Sequence, residues 1–549
     1  MIASACGYSK NLATMPLAPA TSYETTDAAN RVARATELAL IRKPDHASPL
    51  QQRGQPDQQP SRQEPDWAAA VRAEGSKWST RLLVWAHRGP AGRGKSMTDD
   101  STLETDLPSE LAEWVRQVVG AHVQAAHRVL SGGSRTTWLV DTDGTEPTKE
   151  IVLRVENGSG AFANTQLTFE REAVVYRALR NTSVPVPGLI ALAGDGRMLL
   201  LSRAPGRADL RRESLDVRRA ALGRYVEVLT RLHEVDFAAL RLHGYEAPLD
   251  NRAHARNEVR FWERIARVHG ELDPELEYAF AWLYANAPPE ISGTALLHGD
   301  AGPGNFVYGN DEVTALIDWE FAHIGDPADD LAWLEFRMAR EGESPELARE
   351  MIERYVQTSG RHIDPGALHY YGCLVRVRCA VTAALSIVSG GPLGRGAYRQ
   401  AHRRLLRDVM LQIVGITGAS VENPELPRLS AVSSADCFDD ALESVARLVS
   451  STRGHSKLHA LWLQATVRFL CNSHHFGREI ELANDLETAN VLAVTGAGTQ
   501  QASFAALAAA GGATSDATIL SVLTRRAIRN DWLWTGDESV LGRQHDSKN

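Results

Sequence analysis

The most constraining part of the 549-residue chain is residues 296–334, LLHGDAGPGNFVYGNDEVTALIDWEFAHIGDPADDLAWL. Two short apolar runs, FVY and VTALI, flank the turn-forming sequence GNDE, and this pattern predicts a β-hairpin. Asn305 directly precedes the first run, and Asp318 directly follows the second. We therefore expect both side chains at the open end of the hairpin, next to Asp300.

These residue types suit a metal-dependent reaction on a hydroxyl group. Amide and carboxylate oxygens are ligands that Mg²⁺ prefers, so we predict that Asn305 and Asp318 hold a metal ion. A separate carboxylate, Asp300, can accept a proton from a hydroxyl group. The order His-x-Asp-x-x-x-x-Asn, which starts at His298 and is followed by a strand-end aspartate, is the catalytic-loop spacing of the protein-kinase fold. A hairpin with surface acids accounts for any one of these residues, but not for four at this spacing.

The sequence of the motif, HGDxxxxN followed by IDWE, resembles that of the aminoglycoside phosphotransferase-type, choline-kinase-like family of small-molecule kinases. The continuation FAHIGDPADDLAWL is similar to the branch of kinase-like domains fused to some acyl-CoA dehydrogenases. The resemblance covers about residues 105–415. It implies an α+β, protein-kinase-like fold with a small β-rich N-lobe and a larger helical C-lobe. It also implies that ATP and Mg²⁺ are used, that Asp300 is the catalytic residue, and that His298 holds the backbone of the loop.

A glycine-rich sequence lies between two predicted strands near the start of the organised region. Its residues Ser131, Gly132, Gly133 and Ser134 form a predicted hairpin tip, where backbone amides can approach phosphates closely. Most such sequences are ordinary turns. The position of this one matches the loop that opens the small lobe in the family, so the resemblance implies that it contacts ATP.

The next predicted strand, residues 151–155, supplies a cation. Strand alternation puts Val152 and Arg154 on one face, where the family has a small residue and a lysine. Arginine can pair with phosphate bidentately, although its reach differs from that of lysine. Glu172 on the following predicted helix matches the family's partner for this cation, and Glu170 is a close rival.

The predicted boundary between the lobes follows residues 198–203. The resemblance implies that backbone groups near Leu200 and Ser202 meet the adenine edge of ATP. The sequence Ala-Pro-Gly that follows breaks the chain there.

The helix that follows the motif shows clear start signals. Asp326 fits the N-cap position and Pro327 the first helical position. Asp329 occupies the capping-box position, and we interpret both aspartates as capping residues. Asp330 could instead brace the catalytic loop from below.

Composition shifts divide the chain into four regions. A Gln- and Pro-rich sequence marks a largely disordered tail, whereas a turn-rich break separates a last helical region of unknown role. The predicted regions are the tail at 1–104, the N-lobe at 105–205, the C-lobe at 206–418 with catalytic loop 296–320, and a helical C-terminal domain at 435–545.

Two other functions compete with a small-molecule kinase. One is a nucleotide-binding pseudokinase without turnover, which the arginine at position 154 slightly favours. The other is a nucleotide triphosphatase that uses the GxxxxGK[ST] match ending at Lys95 and Ser96. The residues after this match lack the apolar face of the helix that a phosphate loop requires, so we interpret the match as chance.

Charge and cysteine content narrow the class of protein further. The net charge of −9 and the pI near 6.1, without a basic block, argue against a nucleic-acid partner. Five scattered cysteines without a CxxC pair are typical of a reduced, cytoplasmic protein. An uninterrupted apolar run of about 18 residues is absent, so no membrane span is expected. The partner expected is a small hydroxyl compound, either hydroxyacyl-CoA-like or aminoglycoside-like.

Overall fold

The computed structural model describes residues 107–129, 135–156, 161–162, 165–389, 392–427, 437–452, 454–495 and 513–536. The predicted tail at 1–104, with the Lys95–Ser96 match, and the glycine-rich loop at 131–134 lie outside these residues.

The N-terminal part is a five-stranded antiparallel sheet with two helices. The order of the strands in the sheet is β1-β2-β3-β5-β4. The elements are α1 (Ser109–Val119), β1 (Val123–Val129), β2 (Arg135–Thr142), β3 (Glu150–Glu156), α2 (Phe169–Leu179), β4 (Leu189–Leu192) and β5 (Met198–Ser202).

Alternation along the central strands gives this lobe two packed faces. Leu153 of β3 and Leu200 of β5 are fully buried in a core that includes Leu111 and Val115 of α1. Leu201 belongs to the separate core that contains α2. Because successive strand residues point to opposite faces, the side chain of Arg154 points away from α1 and towards α2.

The remainder is largely helical. Its helices are α3 to α9. Four short strands form two small antiparallel sheets, in which β6 pairs with β9 and β7 pairs with β8. The elements are α3 (Leu215–Glu234), α4 (Asn251–Ala266), a 3₁₀ turn (Arg267–His269), α5 (Pro274–Ala285), β6 (Ala295–Leu297), β7 (Phe306–Gly309), β8 (Glu312–Leu316), β9 (His323–Gly325), α6 (Pro327–Arg340), α7 (Pro345–Ser359), α8 (Pro365–Ser389) and α9 (Pro392–Thr417).

The hairpin predicted from the sequence is present as β7 and β8, with Phe306 opposite Leu316. Asn310 and Asp311 at its tip have φ angles of 54° and 60°. These left-handed conformations are those of the tight hairpin turns that Asn and Asp favour. The hairpin thereby holds both of its ends at the catalytic loop.

Three further helices follow, α10 (Cys437–Ser451), α11 (Gly454–Thr495) and α12 (Ala513–Thr535). Helix α12 packs against α9, and its residues Ile519 and Leu523 are fully buried in the main core. Asp531, also fully buried, accepts a hydrogen bond of 2.6 Å from Arg407 of α9. Helix α12 therefore shares the core of the helical lobe.

Helix α8 is the one described helix long and apolar enough to cross a membrane by length and composition. However, 67% of its apolar window is buried within the protein. Arg378 in this helix is also buried, and it pairs with Asp329 at 2.6 Å. This burial is typical of the central helix of a large helical lobe.

Candidate active site

A cavity of about 660 Å³ lies between the sheet and the helical lobe. The sheet contributes one wall and the catalytic loop with the end of β8 the other. The lining residues include Val152, Arg154, Leu201, Ser202, Asp300, Asn305, Asp318, Glu320, Phe336 and Arg337.

The catalytic loop is held from below by Asp330 of α6. The two oxygens of this carboxylate accept hydrogen bonds of 2.8 Å from the backbone amides of His298 and Gly299. The ring of His233 donates a third bond of 3.0 Å, and its other nitrogen contacts Tyr355. Burial would raise the pKa of Asp330, but the contacts with His233 and His298 lower it below its ordinary value. Asp330 therefore braces the loop as a buried carboxylate anion.

Asp326 and Asp329, the other two aspartates at the start of α6, have different partners. Asp326 caps the helix, since its side chain accepts a hydrogen bond from Ala328. The capping interpretation was wrong for Asp329, because both of its oxygens accept hydrogen bonds from Arg378, at 2.6 and 2.7 Å. A buried guanidinium 49 residues away in the chain outcompetes the local cap.

His298 is buried and links the two ends of the site. Its Nε2 donates to the carbonyl of Ile317 at 3.0 Å, directly before Asp318. The backbone amide of Asp300 lies 3.4 Å from its Nδ1. Burial lowers the pKa of His298, so the ring is neutral near pH 7. These contacts fit a residue that holds the loop in place, as the resemblance implied.

Gly299 gives a direct test of the loop conformation. Its φ is +78°, and a Cβ there would overlap the carbonyl oxygen of Phe321. We expect Gly299→Ala to cost about 3 kcal/mol of unfolding free energy, because the strained φ adds to the overlap. Gly120→Ala is the matched control, since its φ is +71° with nothing within 4 Å of the added Cβ; it should cost only about 1 kcal/mol. Equal losses in urea unfolding would contradict the overlap.

The carboxylate of Asp300 contacts two side chains, those of Asn305 and Arg337. The Nδ2 atom of Asn305 donates to its Oδ2 at 2.6 Å and to its backbone carbonyl at 2.7 Å. Arg337 of α6 places Nη1 at 2.7 Å from both carboxylate oxygens. The same guanidinium approaches Oδ1 of Asn305 at 3.3 Å. Asp300 and Asn305 thus form one bonded cluster, whose arginine the sequence had not singled out.

Arg154 links the two lobes. Its Nη1 donates to Glu172 at 2.5 Å, and its Nη2 donates to Asp318 at 2.7 Å. Glu172 is fully buried, as its predicted pairing with the strand cation requires, and Glu170 is exposed. Asp318 has a φ of 70°, an uncommon value for a residue with a side chain. Burial would raise the pKa of Asp318, but the charge of Arg154 lowers it below its ordinary value.

A second arginine and a third carboxylate complete this cluster. Arg135, at the first position of β2, forms ion pairs with Glu172 and, at 3.2 Å, with Glu320. It also donates to the carbonyl of Leu167 at 2.8 Å. Burial and the charge of Asp318 raise the pKa of Glu320 to about 7. Sequence analysis missed both residues, and the one available signal was that Glu320 follows Asp318 at a spacing of two.

The two predicted hinge residues differ in position. Ser202 lines the cavity, and its Oγ accepts a hydrogen bond of 2.8 Å from the backbone of Gly188. The side chain of Leu200 lies in the core with α1. Its backbone pairs with β3 at Leu153 and with β4 at Ala191. Leu201 and Ser202 line the cavity, and the backbone contact with adenine stays a prediction.

The donor atoms of the site fit a hard divalent cation. Asn305 and Asp318 line the same cavity, and ligand oxygens of Glu172, Asp318 and Glu320 lie within 4.8 Å of one another. Amide and carboxylate oxygens, without a sulfur or imidazole donor among these residues, suit Mg²⁺. In this structure Arg154 contacts Asp318, and Arg337 contacts Asn305.

Comparisons with known proteins find a matching family and related sequences. Residues 126–369 match the sequence model of the phosphotransferase enzyme family. Acyl-CoA dehydrogenase family member 11 of Gallus gallus is 29% identical over 248 residues, which are 43% of this chain and 30% of that protein. Family member 10 of Mus musculus is 27% identical over 238 residues, 41% of this chain and 21% of that protein. The chain thus spans less than a third of the length of these two relatives.

Solved structures of phosphotransferases are also similar. Macrolide 2'-phosphotransferase MphH from Brachybacterium faecium is 21% identical, with a TM-score of 0.39, and the match covers 54% of this chain and 98% of that one. A ternary complex of aminoglycoside phosphotransferase APH(4)-Ia with ADP and hygromycin B is 19% identical, with a TM-score of 0.39, and the match covers 55% of this chain and 98% of that one.

Proposed function

We propose that this protein is an ATP-dependent small-molecule kinase, since residues 126–369 match the phosphotransferase enzyme family and lie within a two-lobed, protein-kinase-like fold. It transfers the γ-phosphoryl group of ATP to a hydroxyl group. The observation that carries the proposal is that Asp300, Asn305, Asp318 and Arg154, from three separate elements, line one cavity. Four residues with these chemistries at one cleft match what phosphoryl transfer requires.

Asp300 receives the acceptor hydroxyl. As the bond between the acceptor oxygen and the γ-phosphorus forms, the bond from that phosphorus to the β,γ-bridging oxygen breaks, and ADP leaves with the electron pair. The hydroxyl proton passes to Asp300. Its Oδ2 already accepts bonds from Asn305 and Arg337, whereas Oδ1 accepts one from Arg337. Oδ1 therefore keeps acceptor capacity for a substrate hydroxyl.

The remaining residues position the triphosphate. Arg154 is anchored to Glu172 through one nitrogen, so its other nitrogen can exchange Asp318 for a phosphate oxygen. Asn305 and Asp318 would hold Mg²⁺, which when bound neutralises charge on the phosphates. Positioning and charge neutralisation supply most of the catalysis in such a reaction. The Ser131–Ser134 loop keeps its predicted phosphate role as part of this proposal.

The charges of the cavity favour one class of acceptor over the other. Six carboxylates line it, and each lies within 3.8 Å of an arginine. The pairs are Asp209 and Glu341 with Arg211, Glu343 with Arg218, Asp300 with Arg337, Asp318 with Arg154, and Glu320 with Arg135. A polycationic aminoglycoside needs carboxylates for its ammonium groups. We therefore favour a hydroxyl compound without clustered positive charge, of the hydroxyacyl-CoA-like kind.

Thermal-shift and turnover measurements test this function together. We expect MgATP to raise the Tm of the full chain, since ligands that bind only the folded state stabilise it. ADP release should increase with a hydroxyl acceptor from a panel of hydroxyacyl-CoA compounds, sugars and aminoglycosides. Stimulation by aminoglycosides alone would overturn the favoured acceptor class. The absence of both nucleotide stabilisation and ADP release would overturn the kinase.

A pseudokinase is the second candidate, and a specific observation favours it. Arg154 occupies the carboxylate of Asp318 with an ion pair of 2.7 Å. If this pair persists with nucleotide bound, Asp318 cannot hold Mg²⁺ and transfer is blocked. A Tm increase with MgATP, but no ADP release above a no-enzyme control for any acceptor, would establish this alternative.

A further inference from the structure

Arg337 makes more contacts with the catalytic loop than any role in helix packing requires. Its Nη1 lies 2.7 Å from both oxygens of Asp300. Its Nε and Nη2 donate to the carbonyl of Pro303 at 3.0 and 2.8 Å, and Nη2 reaches Oδ1 of Asn305 at 3.3 Å. One guanidinium therefore touches three parts of the loop between residues 300 and 305.

The backbone of the loop is shaped around this side chain. Gly302 and Gly304 have φ angles of +134° and +94°, values that favour glycine. A Cβ on Gly302 would lie 3.0 Å from Cβ of Arg337, and one on Gly304 would lie 2.9 Å from its Nη2. The loop thus passes closely around the arginine at two points, where glycine leaves room for its side chain.

The charge of Arg337 also matters at this position. Without it, an ionised Asp300 would face the triphosphate of ATP as a like charge in a partly buried cleft, where Coulomb repulsion is stronger than in water. Arg337 offsets that repulsion and fixes the orientation of the carboxylate. A guanidinium with five donors can do this while bound to Pro303, whereas an ammonium group cannot make both sets of contacts in the same geometry.

We propose that Arg337 is a positioning residue for phosphoryl transfer, one that holds Asp300 with Oδ1 directed to the acceptor hydroxyl. This inference rests on the proposed kinase function. Arg337 acts through Asp300, so the two residues form one functional unit. Its removal lowers the rate of transfer and leaves nucleotide binding and the fold in place, because α6 is independently packed by the fully buried Leu334 and Met338.

The test compares Arg337→Gln, Arg337→Lys, Asp300→Asn and the Arg337→Gln/Asp300→Asn double variant with wild type. ADP release from MgATP is measured with water as acceptor and with any acceptor found in the panel. We expect Arg337→Gln to lower kcat by roughly 100-fold and to change the KM for ATP by less than about 3-fold. Arg337→Lys should recover part of the loss. The double variant should be no slower than Asp300→Asn alone, because residues that act as a unit are not additive.

Binding and stability give readouts that do not depend on turnover. MgADP should raise the Tm of Arg337→Gln as much as that of wild type. Arg354→Gln is the control, since Arg354 of α7 pairs with Glu227 at the surface, at 2.5 Å, away from the cavity; it should keep wild-type kcat. Two results would overturn the positioning role of Arg337 but leave the kinase function in place. One is fully additive losses in the double variant, and the other is a kcat for Arg337→Gln above half that of wild type. Wild type that binds MgATP without releasing ADP would overturn the kinase function itself.

Discussion

Asp300→Asn is expected to lower kcat by roughly 100-fold or more, with the KM for ATP near that of wild type. The amide keeps the shape of the carboxylate but cannot take the hydroxyl proton. The residues expected to contact the nucleotide, Arg154 and Asp318, are held by Glu172 and by the end of β8, so nucleotide binding should survive. Initial rates of ADP release over a range of ATP concentrations provide the measurement.

The hairpin supplies a matched control for this substitution. Asp311→Asn makes the same chemical change at the exposed tip of the same hairpin, at a φ of 60° that asparagine also tolerates. It should leave kcat unchanged within about 2-fold, as expected for a surface substitution. If Asp300→Asn retains turnover close to that of this control, Asp300 has no part in the chemistry.

The predictability of the site depends on how far its contacts reach along the chain. The hairpin, its turn and the placement of Asn305 and Asp318 at its open end follow from local apolar pattern and turn chemistry. The orientation of Arg154 follows from strand alternation alone. Its pairing with Glu172 was reached through the family resemblance, and full burial distinguishes Glu172 from its exposed rival Glu170.

Other parts of the site depend on tertiary register and were not accessible to local reasoning. Arg337 reaches Asp300 across 37 residues, and nothing in the sequence of α6 marks it among the many arginines of the chain. Arg135 meets Glu320 only because β2 and the segment after β8 face the same cleft. Asp329 was misjudged for the same reason, since its arginine lies on α8. Capping rules describe a helix by itself, and a buried guanidinium can override them.

Substitution of Asp330, which braces the catalytic loop, should lower kcat nearly as much as substitution of Asp300. Asp330→Asn replaces two acceptor oxygens by one, so either His298 or Gly299 loses the partner of its buried amide. We expect a loss of about 3 kcal/mol in unfolding free energy, the order found when one member of a buried charged network is removed. We also expect a fall in kcat of roughly 100-fold, because displacement of the loop misplaces Asp300.

The pH dependence separates the brace from a general loss of packing. The folded pKa of Asp330 is lowered, so its stabilisation is fully present above the unfolded pKa, about 3.9, and is lost as pH falls through the folded value. The stability difference between wild type and Asp330→Asn should therefore stay constant from about pH 5 to 8 and shrink only in more acidic solution. Asp216→Asn, in the exposed first turn of α3, should lose less than about 0.5 kcal/mol. If the gap for Asp330→Asn closed near neutral pH, a different group would control the loop, and the carboxylate of Asp330 would not be its support.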